Sequence, residues 1–357
     1  MEEGHDDHDD HDDHEGHDDH EGHDDHEDHE DHYQELSHTM LTWKNNVDLG
    51  NDHNLEVTLG RQVNDRKEFG GHEEEGHDDH DDHEEEGHDD HDDHGHGESD
   101  AELDMELITN TLDMNLTMPQ SDNFNLIIGS NILSQENKNF GHEELIPDAE
   151  MNDFGLYGLG QITMENGAAL IGIRYDSRSI TSEMGSADFS NFNGSVGIKR
   201  NFDNSSLRIN LGSGYRAPSL IELFADGVHH GTFRYEKGNA SLEAETSFQT
   251  DMTLEINNDD SNLSFDLFYN DINDYIYVSP SSLNMDGYKV YNYMQQNATL
   301  WGGEIHYSKQ TGIDWLTSHT SLEYINGETA DGDALPFIAP LTFNQVLTAN
   351  ISSNYSF

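Results

Sequence analysis

The chain has 357 residues, carries 15 Lys+Arg against 75 Asp+Glu for a formal net charge of −60, and contains no cysteine. A polyanion of this kind cannot neutralise nucleic acid phosphates, which excludes nucleic-acid binding, and its field concentrates small cations instead. Without thiols, disulfide scaffolds, thiolate metal sites and cysteine nucleophiles drop out as well.

The first element is a low-complexity tract over 1–32. Its ten histidines fall at every third position (His5, His8, His11, His14, His17, His20, His23, His26, His29 and His32), with Asp, Glu or Gly between them. A β-hairpin follows over 33–70. The second tract, 71–100, carries His72, His77, His80, His83, His88, His91, His94 and His96 among Asp and Glu. Residues 1–32 hold 18 acids and residues 72–104 another 18, with no Lys or Arg in either, which leaves −24 for the rest. A spacing of three matches neither the helical stripe nor the alternating face of a strand, and almost nothing apolar is present to bury. Both tracts are therefore expected to be disordered loops when metal-free.

From residue 101 to 357 the chain reads as short segments of alternating hydrophobicity, the strand signal. Ser206–Tyr215 places Leu207, Ile209 and Leu211 on one face and Arg208 and Asn210 on the other, and Ser261–Tyr269 points Leu263, Phe265, Leu267 and Tyr269 one way. With the hairpin at 33–70, about twelve or thirteen segments of roughly ten residues are expected, the length of a tilted transmembrane strand. Short polar turns (50–54, 165–167, 202–205, 257–261, 310–313) interleave with predicted long loops (71–101, 136–151, 216–244, 278–297, 327–339), the asymmetry of an outer-membrane barrel. A soluble β-sandwich or soluble barrel would have shorter strands and no such asymmetry. No run of 18 apolar residues is present, and Met1 leads directly into an acidic tract without a secretory signal, so the natural N-terminus is expected to lie upstream.

Gly214-Tyr215-Arg216-Ala217-Pro218-Ser219, then Glu222-Leu223-Phe224, His230-Gly231-Thr232, Tyr235-Glu236 and Gly238-Asn239-Ala240-Ser241-Leu242-Glu243-Ala244-Glu245 follow one another in order. Asp251, Phe268-Tyr269-Asn270, Asp274-Tyr275-Ile276 and Leu300-Trp301-Gly302-Gly303-Glu304 continue the series. In this order and spacing the motifs resemble the barrel of TonB-dependent outer-membrane receptors, and they cover most of 140–345. The resemblance implies an antiparallel transmembrane β-barrel of about 22 strands around an N-terminal plug. It also implies a Gram-negative outer-membrane location, contact with membrane lipid, and import energised by the TonB–ExbB–ExbD complex. Measured against that pattern, the chain is expected to be a partial barrel. It carries no plug and no TonB box, lacks roughly the first nine strands, and lacks a few strands before the terminal Phe357.

The tracts carry the chemistry. Neutral imidazole binds zinc, nickel, copper(II) and iron(II), and carboxylates add charge and oxygen donors. Calcium would leave the histidines without purpose, and the lack of Cys and Met ligands disfavours copper(I). Zinc, satisfied by three or four His and Asp ligands, is the expected cargo. The repeats offer many overlapping ligand sets, which suits loose capture and release. A discrete second site is read at His229 and His230, with Glu222, Asp226 and Glu236 near them in sequence; ordering of a long loop is the alternative for those residues. His142 with Glu143 and Glu144 is a third candidate. Haem receptors of the same family carry a histidine between similar Arg-Ala-Pro and Asn-Pro-Asn-Leu motifs, so haem or a ferric siderophore is the alternative cargo, although the acidic loops would repel both. A surface protein that buffers metal without transporting it is the reading from another class. No Ser/His/Asp order, carboxylate pair or phosphate loop rises above chance, so the chain reads as a transporter and not an enzyme.

Overall fold

The computed structural model describes residues 33–69, 101–141, 144–352 and 355–356. Both histidine tracts, His142 and Glu143 lie outside the described residues.

Eight antiparallel strands come first: β1 (Tyr33–Gly50), β2 (His53–Phe69), β3 (Leu103–Ser121), β4 (Phe124–Asn139), β5 (Ala149–Met164), β6 (Gly167–Ser182), β7 (Gly185–Asn201) and β8 (Ser205–Arg216). An insertion then carries a short helix, α1 (Leu220–Phe224), and a small hairpin, β9 (Asp226–His229) with β10 (Arg234–Lys237). The meander resumes as β11 (Glu245–Asn258), β12 (Ser261–Met285), β13 (Tyr288–Gln310), β14 (Leu316–Thr329), β15 (Thr342–Ser352) and β16 (Tyr355–Ser356). Apart from the β9–β10 hairpin, each strand bonds its neighbour in chain order, and β8 bonds β11 across the insertion. Among the described residues β1 pairs only with β2, and no ladder joins it to β15 or β16, so the sheet is open.

The expected barrel architecture holds, with two differences of detail. The sheet contains 16 strands, more than the twelve or thirteen expected, because the insertion adds two of its own and the two-residue β16 counts as another. The second difference is the predicted long loop at 278–297, which is instead the far half of the β12–β13 ladder. Asp286 (φ 48°) and Gly287 (φ 79°) are both left-handed, the conformation a two-residue hairpin turn needs to match strand twist. Pro280 sits where the β12–β13 register shifts and so disrupts little of the ladder.

The two faces of the sheet follow from alternation along each strand. On β6, Ile171 and Ile173 are exposed on one face while Arg174, Asp176 and Arg178 occupy the other. The apolar face continues through Phe192, Val196, Leu211, Leu267, Trp301, Tyr324 and Phe343, all exposed. In water such a surface would be ruinous; against hydrocarbon it is the surface that dissolves. The opposite face is polar and carries ion pairs. Arg178 binds Asp153 through two bonds of 2.7 and 2.6 Å, and Arg174 bonds both Asp176 and Asn131.

The buried core lies at the long-loop end, where the insertion packs on the polar face. Leu220, Leu223 and Phe224 of α1 and Leu242 form one cluster with Ala149, Met151, Ile180 and Ile276 from the upper parts of β5, β6 and β12. Gly238 allows the chain to pass directly beneath the end of α1. A Cβ there would lie 2.7 Å from the backbone of Leu223, Phe224 and Ala225, none of which can rotate away. Gly238→Ala is therefore expected to destabilise the insertion by about 1–3 kcal/mol, the usual cost of overpacking. The measurement is selective loss of protease protection over 217–244, with the strand signal unchanged.

Candidate metal site

The candidate residues described by the structure do not gather into a ready-made metal shell. Among the described residues, no three His, Asp or Glu side chains lie where they could hold one ion. The structure instead gives Glu222 and Asp226 separate tasks, and the side chain of His230 lies outside what it describes. Glu222 closes a capping box on α1: its carboxylate accepts from the Ser219 backbone N–H at 2.7 Å, and the Ser219 hydroxyl accepts from the Glu222 N–H. Both Glu222 oxygens also accept from Arg216, at 2.9 and 2.8 Å, and the other edge of that guanidinium holds Glu245. Glu222 thus orders the loop and does not meet His229. Asp226 is likewise spent, accepting from the Tyr235 hydroxyl at 2.9 Å.

His229 and Glu236 do come together. The β9–β10 hairpin places His229 Nδ1 2.8 Å from Glu236 Oε1, and β10 adds itself in parallel to the outer end of β13. Glu236 is fully buried. Burial alone would raise its carboxyl pKa, but hydrogen bonds from His229, Tyr293 and Arg234 outweigh that and hold it down to about 2. Arg234 bonds Oε1 at 2.7 Å and its guanidinium lies over the Tyr291 ring, while the Tyr293 hydroxyl bonds Oε2 at 2.7 Å. An ionised Glu236 can only accept, so His229 donates from Nδ1, and in the neutral imidazole Nε2 is then the lone-pair nitrogen. A buried carboxylate behind an imidazole is the support that metal-binding histidines use to fix tautomer and ring orientation.

Nε2 faces the end of β2, a direction that sequence spacing cannot reveal. Arg66 Nη2 stands 3.3 Å from it and also bonds Glu68 Oε1, while Gln34 Nε2 reaches the same Glu68 oxygen at 3.0 Å. Glu68 is 2% exposed, an unusual degree of burial for a carboxylate and the sign that it has a specific role. Glu68 and Arg66 were missed because they sit in an ordinary polar strand end, Asn64-Asp65-Arg66-Lys67-Glu68, with no motif. The strand ladder offers the only cue: Gln34, directly opposite Glu68, projects to the same face. The resulting donor pair, His229 Nε2 and the Glu68 carboxylate, joins residues 161 positions apart and suits a borderline transition metal.

The sequence profile of the family described as "TonB dependent receptor-like, beta-barrel" matches residues 4–357. The chain belongs to this family. Its members are outer-membrane transporters and not enzymes, in keeping with the apolar outer face of the sheet. Among solved structures, the receptor's fold resembles a copper transporter, OprC (TM-score 0.68, 18% identity, covering 88% of this chain and 51% of that one). It also resembles the FrpB iron transporter from Neisseria meningitidis (TM-score 0.64, 15% identity, 89% and 49%). A third likeness is to the Serratia marcescens hemophore receptor HasR in complex with its hemophore and heme (TM-score 0.61, 9% identity, 89% and 56%). The receptor chain spans about half the length of these structures. No curated protein sequence matches it.

Proposed function

We propose that this chain is the barrel portion of an outer-membrane receptor that imports a divalent transition metal, zinc first, captured by its histidine-rich tracts and driven through the TonB system. The observation that carries the reading is the attachment of those tracts to the sheet. Tyr33 pairs with Phe69, and Glu68 with Leu103, at one end of the first three strands. The described residues that flank the two tracts, Tyr33, Phe69 and Leu103, therefore lie at the sheet end where Arg66 joins His229 and Glu68. A dense anionic field would concentrate cations there, imidazole would select transition metals from them, and the His229–Glu68 pair would be the next ligand set inward. Haem fits less well, because the acidic tracts repel propionates.

Titration calorimetry of the full chain with zinc, calcium and magnesium tests the metal choice. Several zinc ions should bind, all more tightly than either hard cation, since imidazole is a poor partner for those ions. Equal affinity for calcium would assign binding to carboxylates alone and remove zinc as cargo.

A further inference from the structure

We infer that Arg66 is a resident cation that keeps the His229–Glu68 pair closed, and that a divalent metal gains this site by displacing it. The inference rests on the reading of that pair as a metal site. A single nitrogen, Arg66 Nη2, contacts both Glu68 Oε1 and His229 Nε2. It thus stands between the two atoms that a metal would bridge, and it carries the positive charge that a buried carboxylate requires when no metal is present.

The seating of Arg66 is poor for an arginine. Guanidinium and carboxylate normally pair edge to edge through two parallel bonds. Arg178 on Asp153 does so in this same sheet. Arg66 and Glu68, in contrast, meet through one nitrogen and one oxygen, and among the described residues Arg66 Nε and Glu68 Oε2 are buried without a partner. Each orphan is a desolvated polar atom that the closed state leaves unsatisfied. A metal on His229 Nε2 and both Glu68 oxygens would satisfy Glu68 Oε2, and the departing guanidinium would regain solvent. Glu236, itself bonded by Arg234 and Tyr293, holds the imidazole from behind, so the exchange needs no rearrangement of the hairpin.

The consequence is a selectivity filter by charge and ligand preference. A monovalent cation offers no more charge than Arg66 already supplies, and calcium has little use for Nε2. Only a divalent ion with affinity for imidazole outcompetes the guanidinium. The sign of the mutational effect is therefore unusual: removing a polar contact residue should tighten binding.

The test is residue-resolved chemical modification of the full chain, with fragment mass spectrometry that separates His229 from His230. In wild type, zinc should protect His229 from diethylpyrocarbonate and, over the same concentrations, make Arg66 more reactive to phenylglyoxal. In Arg66→Gln the zinc concentration that half-protects His229 should fall roughly tenfold, the worth of one charge-assisted bond no longer in competition. Arg66→Lys keeps the charge and should stay near the wild-type value. The Arg66 reactivity in wild type decides the matter even if the glutamine variant does not fold. Zinc that protects His229 in none of the proteins overturns the site itself. Protection of His229 at the same zinc concentration in wild type and Arg66→Gln, with Arg66 reactivity unchanged, overturns the lock and leaves the site standing.

Discussion

Replacing the eighteen tract histidines with asparagine is expected to weaken zinc binding by the chain roughly tenfold or more, with its strand signal unchanged, because oxygen donors alone are a poor shell for zinc. The carboxylates remain in that variant, so its net charge and its affinity for calcium should hardly move. This contrast separates ligation from simple attraction. A field effect depends on the 75 acids and survives the substitution; coordination depends on imidazole and does not. The same chemistry sets a pH dependence. Only neutral imidazole ligates, and an unperturbed histidine titrates near ~6.5. As pH falls, protons compete with zinc, and binding by the tracts should loosen between about pH 7 and 5.5 while the carboxylates stay ionised. The surrounding negative charge favours the protonated form and moves the loss toward the upper part of that range. Zinc binding that stays level down to pH 5, or that survives the asparagine substitution, would remove the histidines from the mechanism.

A polypeptide of these 357 residues, refolded by itself in detergent, is expected to self-associate and to show no heat-modifiable compact monomer on a gel. The reason is sheet closure. A membrane barrel is viable because every backbone N–H and C=O finds a partner around a closed ring. Among the described residues β1 has a ladder only to β2, all of its 18 residues are exposed, and at the far side β15 meets only β14 and the two-residue β16. The unpaired edge of β1 presents Leu41, Trp43, Val47 and Leu49 alongside its open backbone groups, a combination that templates pairing with another chain. Placing proline at every second position of β1 should suppress the association by removing donors from the edge. A monomer that resists heating in detergent would mean that the first and last strands do close on each other, and the open sheet would have to be abandoned.

Much of the architecture was legible from local pattern. Period-two alternation at 206–215 and 261–269 became β8 and β12, because a strand buried on one face must alternate whatever surrounds it. The short turns at 50–54, 165–167, 202–205 and 257–261 all fell where Gly, Asn and Asp clusters interrupted that alternation. The β12–β13 extension was not legible. Its identity as ladder depends on Asp286 and Gly287 turning the chain so that Tyr291 and Tyr293 return opposite Pro280 and Val278, a pairing that one strand cannot announce.

The same division runs through the site. By itself the sequence determined the charge, the absence of thiols, the imidazole-rich tracts and hence the expectation of a transition-metal cargo, since these follow from which side chains exist and not from where they lie. It also singled out Glu222 and His229 as candidates, from the loop they share, without saying how either would be used. Only the tertiary structure decided how. Glu222, three residues after Ser219, became a helix cap tied to Arg216 because its carboxylate satisfies a backbone donor left open at the first turn. His229 acquired a hydrogen-bonded support from Glu236, seven residues away, and a shared contact through Arg66 with Glu68, far upstream, because the β9–β10 hairpin bonds β13 while its tip reaches β2. Chain separation carries no information about such a meeting. It is set by the curvature of a sheet whose strands lie between the two residues in sequence, and by the burial that makes an unpaired carboxylate there too costly to leave without a cation.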